Sequence, residues 1–389
     1  MPEIIFYPTA SVFTKMKNKK NLLLIFGGRS VEHEVSIVTG LQAYRWINQK
    51  KYQVFPVYLD KQNQAYLCPH PKKKNYRQII TKTLQQDKKI NFSYGGIIKK
   101  GLLQRLIPVE AAILATHGGD GENGNLQGLL NFYQIPYTSS DVIGSALGID
   151  KVISKIIAKS LGHRVVPYIW FFYQDFKREA STIITEIDQK LTYPLFIKPA
   201  RGGSSIGIEK VNHRRELGPA INRVAKLDNK ILVESEINNV VDINCAVMGN
   251  QSIMVSPCEQ PVTDDQFLSF AEKYLKGGKN KGMAGASRII PAPIEEKISQ
   301  AIQSAAKDIF QNLVFDGMAR IDFLYQEKEK RFYFNEVNTI PGSLSYYLWQ
   351  EDNLSPQKMI EKLIKLAKEK QIKKNRQQVD FPSSILDQK

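Results

Sequence analysis

The sequence predicts an α/β chain whose N-terminal part folds around an open parallel sheet and whose C-terminal half is α+β. Three observations lead there. From about residue 21, short apolar runs alternate with helical patterns, the signature of β-α-β units. With 389 residues and 42% apolar content, the chain has material for two or three cores. Beyond about residue 238 the alternation yields to a long polar loop and two strand runs joined by the polar turn "QEKEK".

In chain order, "NLLLIF" is a buried strand, "GGRS" a turn, and "VEHEVSIVTGLQAYRWINQ" carries a helical pattern. "YQVFPVYLD" (52–60) is the next strand, and residues 71–101, basic and poorly patterned, read as loop and surface helix. "EAAILATHGG" (110–119) is a strand running into a glycine-rich loop, and "NLQGLLNFYQ" (125–134) is a helix. After "IPYTSS", a helix over about 150–161 leads to the strand-loop-strand hairpin "PLFIKPA", "RGGSS", "IGIEKV". Then follow a strand through "INCAVMG", a loop over 259–285, a helix from Ile294, the paired strands, a C-terminal helix (355–370) and frayed residues 371–389. The implied divisions are an extension (1–20), an α/β domain (21–139), a central domain (140–237), a C-terminal domain (238–370) and a tail (371–389).

The formal net charge is +16, but the lysines are scattered through "MKNKK", "PKKK", "KGGKNK" and the run from Lys358 to Lys374. No zinc-finger, RRM-like or KH-like signature accompanies them, so a solvated basic surface is preferred to a nucleic-acid-binding protein. Such a field also attracts anionic substrates. Cys68, Cys245 and Cys258 form no CxxC pair, which favours reduced thiols over a disulfide framework or zinc site. No apolar run approaches the roughly 18–20 residues that span a bilayer, and residues 1–15 lack a signal-peptide pattern. The expectation is a cytoplasmic protein without membrane or nucleic-acid partners.

Chemistry enters with "RFYFNEVNTIPG" (331–342). Glu336 and Asn338 stand two apart in a strand and share a face. The hairpin brings Asp322 of "ARIDFLY" beside Glu336, to within a residue or two of register. Three oxygen-bearing side chains on one face suit Mg²⁺, against the plain alternative of a solvated hairpin face. A magnesium site needs a phosphate cradle nearby. No G-x-x-x-x-G-K-[ST] occurs. "GDGENG" (119–124) does spell G-x-G-x-x-G. Its Asp120 and Glu122, however, would repel a pyrophosphate where a helix N-terminus should attract one, which sets aside a nicotinamide oxidoreductase.

"FIKPARGGSSIG" (196–207) is the better cradle. Lys198 ends a strand, Gly202 and Gly203 let backbone N–H groups approach phosphate oxygens, and Ser204 and Ser205 add hydroxyl donors. Lys151, in "GIDKVISK", is a second candidate phosphate ligand beside its plain reading as a surface helix lysine. "ILVESEI", ending at Ile237, reads as a strand feeding a hinge, where exposed backbone and Glu234 receive a purine edge.

Together these residues resemble the ATP-grasp fold. More narrowly, "GGRSVEHEVSIVTG", "HGGDGENGNLQGLL", "IPYTSS", "IKPARGGSSIGI", "EKY", "ARIDF" and "NEVNTIPG" are similar, in order and over about residues 21–370, to the D-alanine–D-alanine ligase family. The resemblance implies an ATP-dependent ligase that phosphorylates one D-alanine to an acyl phosphate and joins it to a second, for peptidoglycan. It implies a homodimer, and two Mg²⁺ (or Mn²⁺) ions held by Asp322, Glu336 and Asn338. It assigns Lys151, Lys198, Ser205, Glu234, Ile237 and Asp242 to ATP, and Glu32 and His117 to the first D-alanine. Ser204 and Tyr274 would bond with Glu32 to fasten a loop carrying Lys273. Arg320 and the Gly342 N–H would face the tetrahedral intermediate.

Three departures mark this chain. Asp242, in "VVDIN", stands where a glutamate commonly holds the ribose, and "SFAEKY" replaces "DYEAKY" while keeping Lys273-Tyr274. That pair argues for an amine acceptor over D-lactate. Tyr347 stands where a serine usually anchors the second substrate's carboxylate, so Tyr347, Ser343 or Ser345 is expected to replace it. D-serine and D-lactate are the alternative acceptors. Met16 is expected to be the native start, since "MKNKKNLLLIFGG" leads directly into the first strand.

Overall fold

The computed structural model describes residues 19–69, 76–100, 104–262, 287–350, 354–379 and 383. Lys273, Tyr274 and Met16 lie outside the described residues.

The first sheet orders its strands Ala65–Leu67, Tyr52–Leu59, Lys20–Gly27, Ala111–Leu114 and Tyr137–Thr138. All neighbours are parallel except the antiparallel edge Ala65–Leu67. Leu22 to Phe26 are wholly buried. A strand covered on both faces reads as an unbroken apolar run, as this one does. It ends at Gly27 and Gly28, both at positive φ, and a Cβ on Gly27 would stand 2.2 Å from the Leu59 carbonyl oxygen. Only glycine makes that exit, which delivers Glu32 to the carboxyl end of the sheet, just before the helix His33–Trp46. The strand Ala111–Leu114 ends beside it, in the loop containing His117 and Glu122.

Residues 71–101 were expected as loop and surface helix; the helix Tyr76–Gln86 is present, but Ile90–Ser93 and Gly96–Lys99 pair as a hairpin extended by Leu106–Pro108. The signal was available. Ile90 and Ile97 are buried on either side of a turn made by Tyr94 and Gly95, with Gly95 at φ 66°.

Two further sheets are antiparallel. Glu209–Val211, Leu195–Pro199, Lys230–Ser235 and Tyr168–Phe172 form one, backed by the helices Tyr173–Lys190 and Arg214–Val224. The other orders Ile253–Val255, Val240–Gly249, Gly317–Gln326 and Arg331–Asn338. The helix Glu296–Asn312 covers it by packing Ile302, Ile309 and Phe310 against Ile243, Ile321 and Phe323. The hairpin on either side of "RGGSS" is as expected, with Leu195 opposite Val211.

The final helix does not stop near residue 370. Pro356–Asn375 is capped by Ser355, whose hydroxyl accepts the Lys358 N–H, and Gln371 is buried against Gln134. Its Met359, Ile360, Leu363 and Ile364 join the core of the first sheet. The chain end therefore returns to where the fold began.

Candidate active site

The carboxylate hairpin has the register the site requires. Asp322 pairs with Glu336 and Arg320 with Asn338, and an irregularity just after Asp322 leaves Phe323 opposite Phe334. Arg320 donates to both Asp322 oxygens, at 2.7 and 2.6 Å, and the Asn338 amide donates to Asp322 Oδ2 at 3.0 Å. Glu336 Oε2 lies 3.0 Å from Lys151 Nζ, whose ammonium also donates to the Gly202 carbonyl. Lys151 opens the helix Lys151–Ser160 and is buried rather than on the surface. Burial pulls its pKa down, but Glu336, Glu32 and Glu234 more than offset this and leave it raised.

Opposite, Lys198 points from the end of its strand to Glu234 Oε2 at 2.6 Å, and Lys155 Nζ lies 2.8 Å from the other oxygen. Glu234 thus carries two lysine ion pairs while also lining the cleft between the two antiparallel sheets. Burial pushes its carboxyl up, but the two ammonium groups outweigh that and hold it at about 2. Lys155 is fully buried, and burial, aided by Lys198, lowers its pKa. Sequence reasoning missed Lys155. Its spacing of four from Lys151 was the available signal, because i and i+4 share a helix face.

Lys151, Lys198, Ser205, Glu234, Ile237 and Asp242 all line one cleft of about 420 Å³ between the two antiparallel sheets, together with Arg320, Asp322 and Glu336. Ser204 and Ser205 hold left-handed backbone, at φ 52° and 58°, which presents the turn to the cleft. All six residues expected at ATP thus share one space.

Glu32 approaches from the first sheet. The Ser204 hydroxyl donates to Glu32 Oε1. A Cβ on Gly203 would stand 2.3 Å from Glu32 Oε2, and one on Gly118 would stand 2.6 Å from it. Glycine at both positions is what lets the carboxylate in. His117, fully buried, meets Thr39 Oγ1 at 2.8 Å and the Ile340 backbone; burial lowers its pKa to about 4. Glu122, noted above only as an acid ill-suited to a dinucleotide loop, accepts from Gly118 N at 2.9 Å, Thr339 Oγ1 at 3.0 Å and Ile340 N at 2.8 Å. It ties the glycine loop to the end of the carboxylate hairpin. Burial, with Glu32 nearby, raises its carboxyl to about 7.

After Gly342 the chain makes a left-handed turn through Ser343, Leu344 and Ser345, at φ 51°, 50° and 45°. Ser343 is turned toward the first helix: its N–H donates to Thr39 Oγ1 at 3.2 Å and its hydroxyl to Gln42 Oε1 at 2.8 Å. Ser345 is wholly buried. Tyr347, by contrast, brings its hydroxyl to 3.5 Å from Arg320 Nη1. Among the described residues no helix is long and apolar enough to cross a membrane.

Comparison with known proteins follows the same outline. Residues 21–140 match the family described as D-ala D-ala ligase N-terminus, and residues 157–365 match D-ala D-ala ligase C-terminus. A D-alanine--D-alanine ligase of Thermosipho africanus is 36% identical over 350 residues, 89% of this chain and 93% of that protein. The crystal structure of VanG D-Ala:D-Ser ligase from Enterococcus faecalis superposes with a TM-score of 0.75 at 30% identity, covering 90% of this chain and 100% of that one. A D-alanine-D-alanine ligase structure from Coxiella burnetii, 24% identical, shares the fold with a TM-score of 0.75 over 92% and 96% of the two chains.

Proposed function

The chain belongs to the D-alanine–D-alanine ligase family, and from that premise we propose how its own residues divide the work. It is an ATP-dependent ligase with the ATP-grasp fold, joining two D-alanines for cell-wall synthesis.

Carboxylate and amine do not condense unaided in water, so one carboxylate oxygen must become a leaving group. The first D-alanine's carboxylate attacks the γ-phosphorus of ATP, giving ADP and an acyl phosphate. The second D-alanine's amine then attacks the acyl carbon, loses a proton and expels phosphate. Lys151 and Lys198 line the cleft between the two antiparallel sheets and are the residues to hold the phosphates, and the "RGGSS" turn supplies backbone and hydroxyl donors. The hinge after Glu234, through Ile237, borders the space for the base, and Asp242 that for the ribose.

Asp322, Glu336 and Asn338 present hard oxygens on one sheet face, and Asp322 and Glu336 already pair with the cations Arg320 and Lys151, so the donor set fits one or two Mg²⁺ or Mn²⁺ ions. Bound there, the ions neutralise the charge crowded by a triphosphate beside a carboxylate. Glu32, held by Ser204, offers an anion to the first D-alanine's ammonium. His117, neutral at physiological pH by virtue of its burial, adds no competing positive charge there. By resemblance, Arg320 and the Gly342 N–H are assigned to the developing oxyanion. Lys273 and Tyr274 are assigned to the covering loop by resemblance. The buried free thiols fit a cytoplasmic enzyme, and a homodimer remains the expected assembly.

The observation that carries the assignment is the pairing of Asp322 with Glu336 in the cleft that Lys151 and Lys198 line. The test is phosphate release from ATP and Mg²⁺ on addition of D-alanine, with the dipeptide identified by mass. Release independent of D-alanine, or none, would reject the reading. D-serine is the second acceptor to test, because VanG, named a D-Ala:D-Ser ligase, covers 90% of this chain and Tyr347 alters the acceptor side.

A further inference from the structure

Among the described residues, Arg288 is a cation beside Tyr347 that the sequence motifs do not name. It opens the short strand Arg288–Ile289, opposite Pro261. Its guanidinium carbon lies 3.6 Å from the centroid of the Tyr347 ring, and its Nη1 lies 2.7 Å from Glu259 Oε1. Glu259 is buried, and its other oxygen accepts from Asn244 Nδ2 at 3.3 Å. Asn244 in turn pairs with Asp322 across the sheet. One phenol therefore meets two arginines, Arg288 on its face and Arg320 at its hydroxyl.

A guanidinium lying on an aromatic face is held by the ring's quadrupole and directs its N–H fork outward in its own plane. That fork matches a carboxylate two bonds at a time. A serine hydroxyl, the group expected at residue 347, would give one bond. We propose that Arg288 anchors the carboxylate of the second amino acid in this enzyme, with Tyr347 serving as its platform. Arg320 faces the same ligand from the side of the reacting carbonyl. Glu259 is a positioning residue: it fixes the orientation of Arg288 and supplies the counter-charge that lets two arginines lie close together. This deepens the ligase reading and rests on it. It makes acceptor choice depend on the carboxylate's charge more than on a hydroxyl contact, which leaves the acceptor's side chain less constrained.

The test is a competition between D-alanine and D-alaninamide as acceptors, with the ratio of dipeptide to dipeptide amide read by mass spectrometry. Both products draw on the same D-alanyl phosphate, so donor-side effects cancel. Losing charge-assisted bonds of about 1.5–3 kcal/mol predicts a ratio roughly ten- to a hundredfold lower in Arg288→Ala. Arg288→Lys, which keeps the charge without the fork or stack, should fall between. Tyr347→Ala should lower the ratio as well. Thermal melts establish which variants fold; if Arg288→Ala does not, Arg288→Lys carries the test. A wild-type ratio in the folded Arg288 variants would overturn the proposal. Absence of D-alanine-dependent phosphate release in the wild type would instead reject the ligase reading, so the two failures are distinguishable.

Discussion

Two buried glutamates on opposite sides of the site titrate in opposite directions. Glu234, between the antiparallel sheets, is held at about 2, whereas Glu122, under the glycine loop of the parallel sheet, is raised to about 7. Burial pushes both upward. Glu234 is met by two ammonium groups, and Glu122 by two backbone N–H groups and a hydroxyl, with Glu32 adding like charge. Burial alone therefore does not set the sign of a shift; the formal charge of the partners does. The cleft proposed for ATP stores fixed charge, while the loop proposed for the first D-alanine is tied by neutral donors and a neutral imidazole. One side is ready for a polyanion, and the other for a zwitterion whose charges must be matched singly.

The largest expected effect tests the charged side at the face proposed to hold metal. Glu336→Gln, nearly isosteric, should abolish ligation at saturating Mg²⁺ while circular dichroism shows an intact fold. Undiminished turnover would remove Glu336 from the site.

Next comes stability. Glu234→Gln would leave Lys155 and Lys198 without their shared counter-ion, and breaking a buried pair costs about 3–5 kcal/mol. Denaturant titration at pH 7 measures it; a loss below 1 kcal/mol would mean that Glu234 is not the charge that holds the lysines. In the wild type, the Glu234 contribution is present above about pH 4.5 and is lost as pH falls toward 2.

Glu122 should show the opposite dependence. From pH 4.5 to about 7 its folded carboxyl keeps a proton that the unfolded chain has released, so stability falls as pH rises through that window, by about 3 kcal/mol. His117 opposes it. Its unfolded imidazole binds a proton below about 6.5 while the folded ring waits until about 4, so stability is lost as pH falls between those values. Glu122→Gln removes one of them, and between pH 5 and 6.5 its denaturant midpoint should rise with pH more steeply than the wild type's. Parallel profiles for the two proteins would show that Glu122 titrates normally.

A smaller effect is expected at Lys155, which touches Glu234 but does not line the cleft proposed for ATP. With Lys155→Met, Glu234 retains Lys198 and competes with ATP for it. The ATP KM should rise roughly tenfold, about 1.4 kcal/mol, with the D-alanine KM unchanged. Equal changes in both would point to general loosening. The smallest effect belongs to Tyr347→Phe, which keeps the ring under Arg288 and removes the hydroxyl's contacts with Arg320, at 3.5 Å, and with Arg288; acceptor KM should change less than about threefold. A larger change would make the phenol itself the anchor.

Much of this was legible from short-range pattern. The "NLLLIF" run and the glycine exit after it define the central strand, and alternation places Glu336 and Asn338 on one face whatever lies around them. The cradle, with Lys198 at a strand end before paired glycines and serines, is likewise a matter of neighbouring residues. The hairpin at 90–99 was missed because its strands are short and half polar.

By itself, then, the sequence determined the strands that carry the site, the oxygen donors, the cradle and the family, because each depends on residues within a turn or a strand of one another. Only the tertiary structure decided what those groups face. Lys155 and Glu234 are 79 positions apart, Glu122 and Ile340 are 218, and Arg288 reaches Tyr347 from another element altogether. Desolvation and counter-charge act through space at a few ångströms, so which acid is ionised, which lysine is held and which arginine stacks on Tyr347 follow from how distant segments pack.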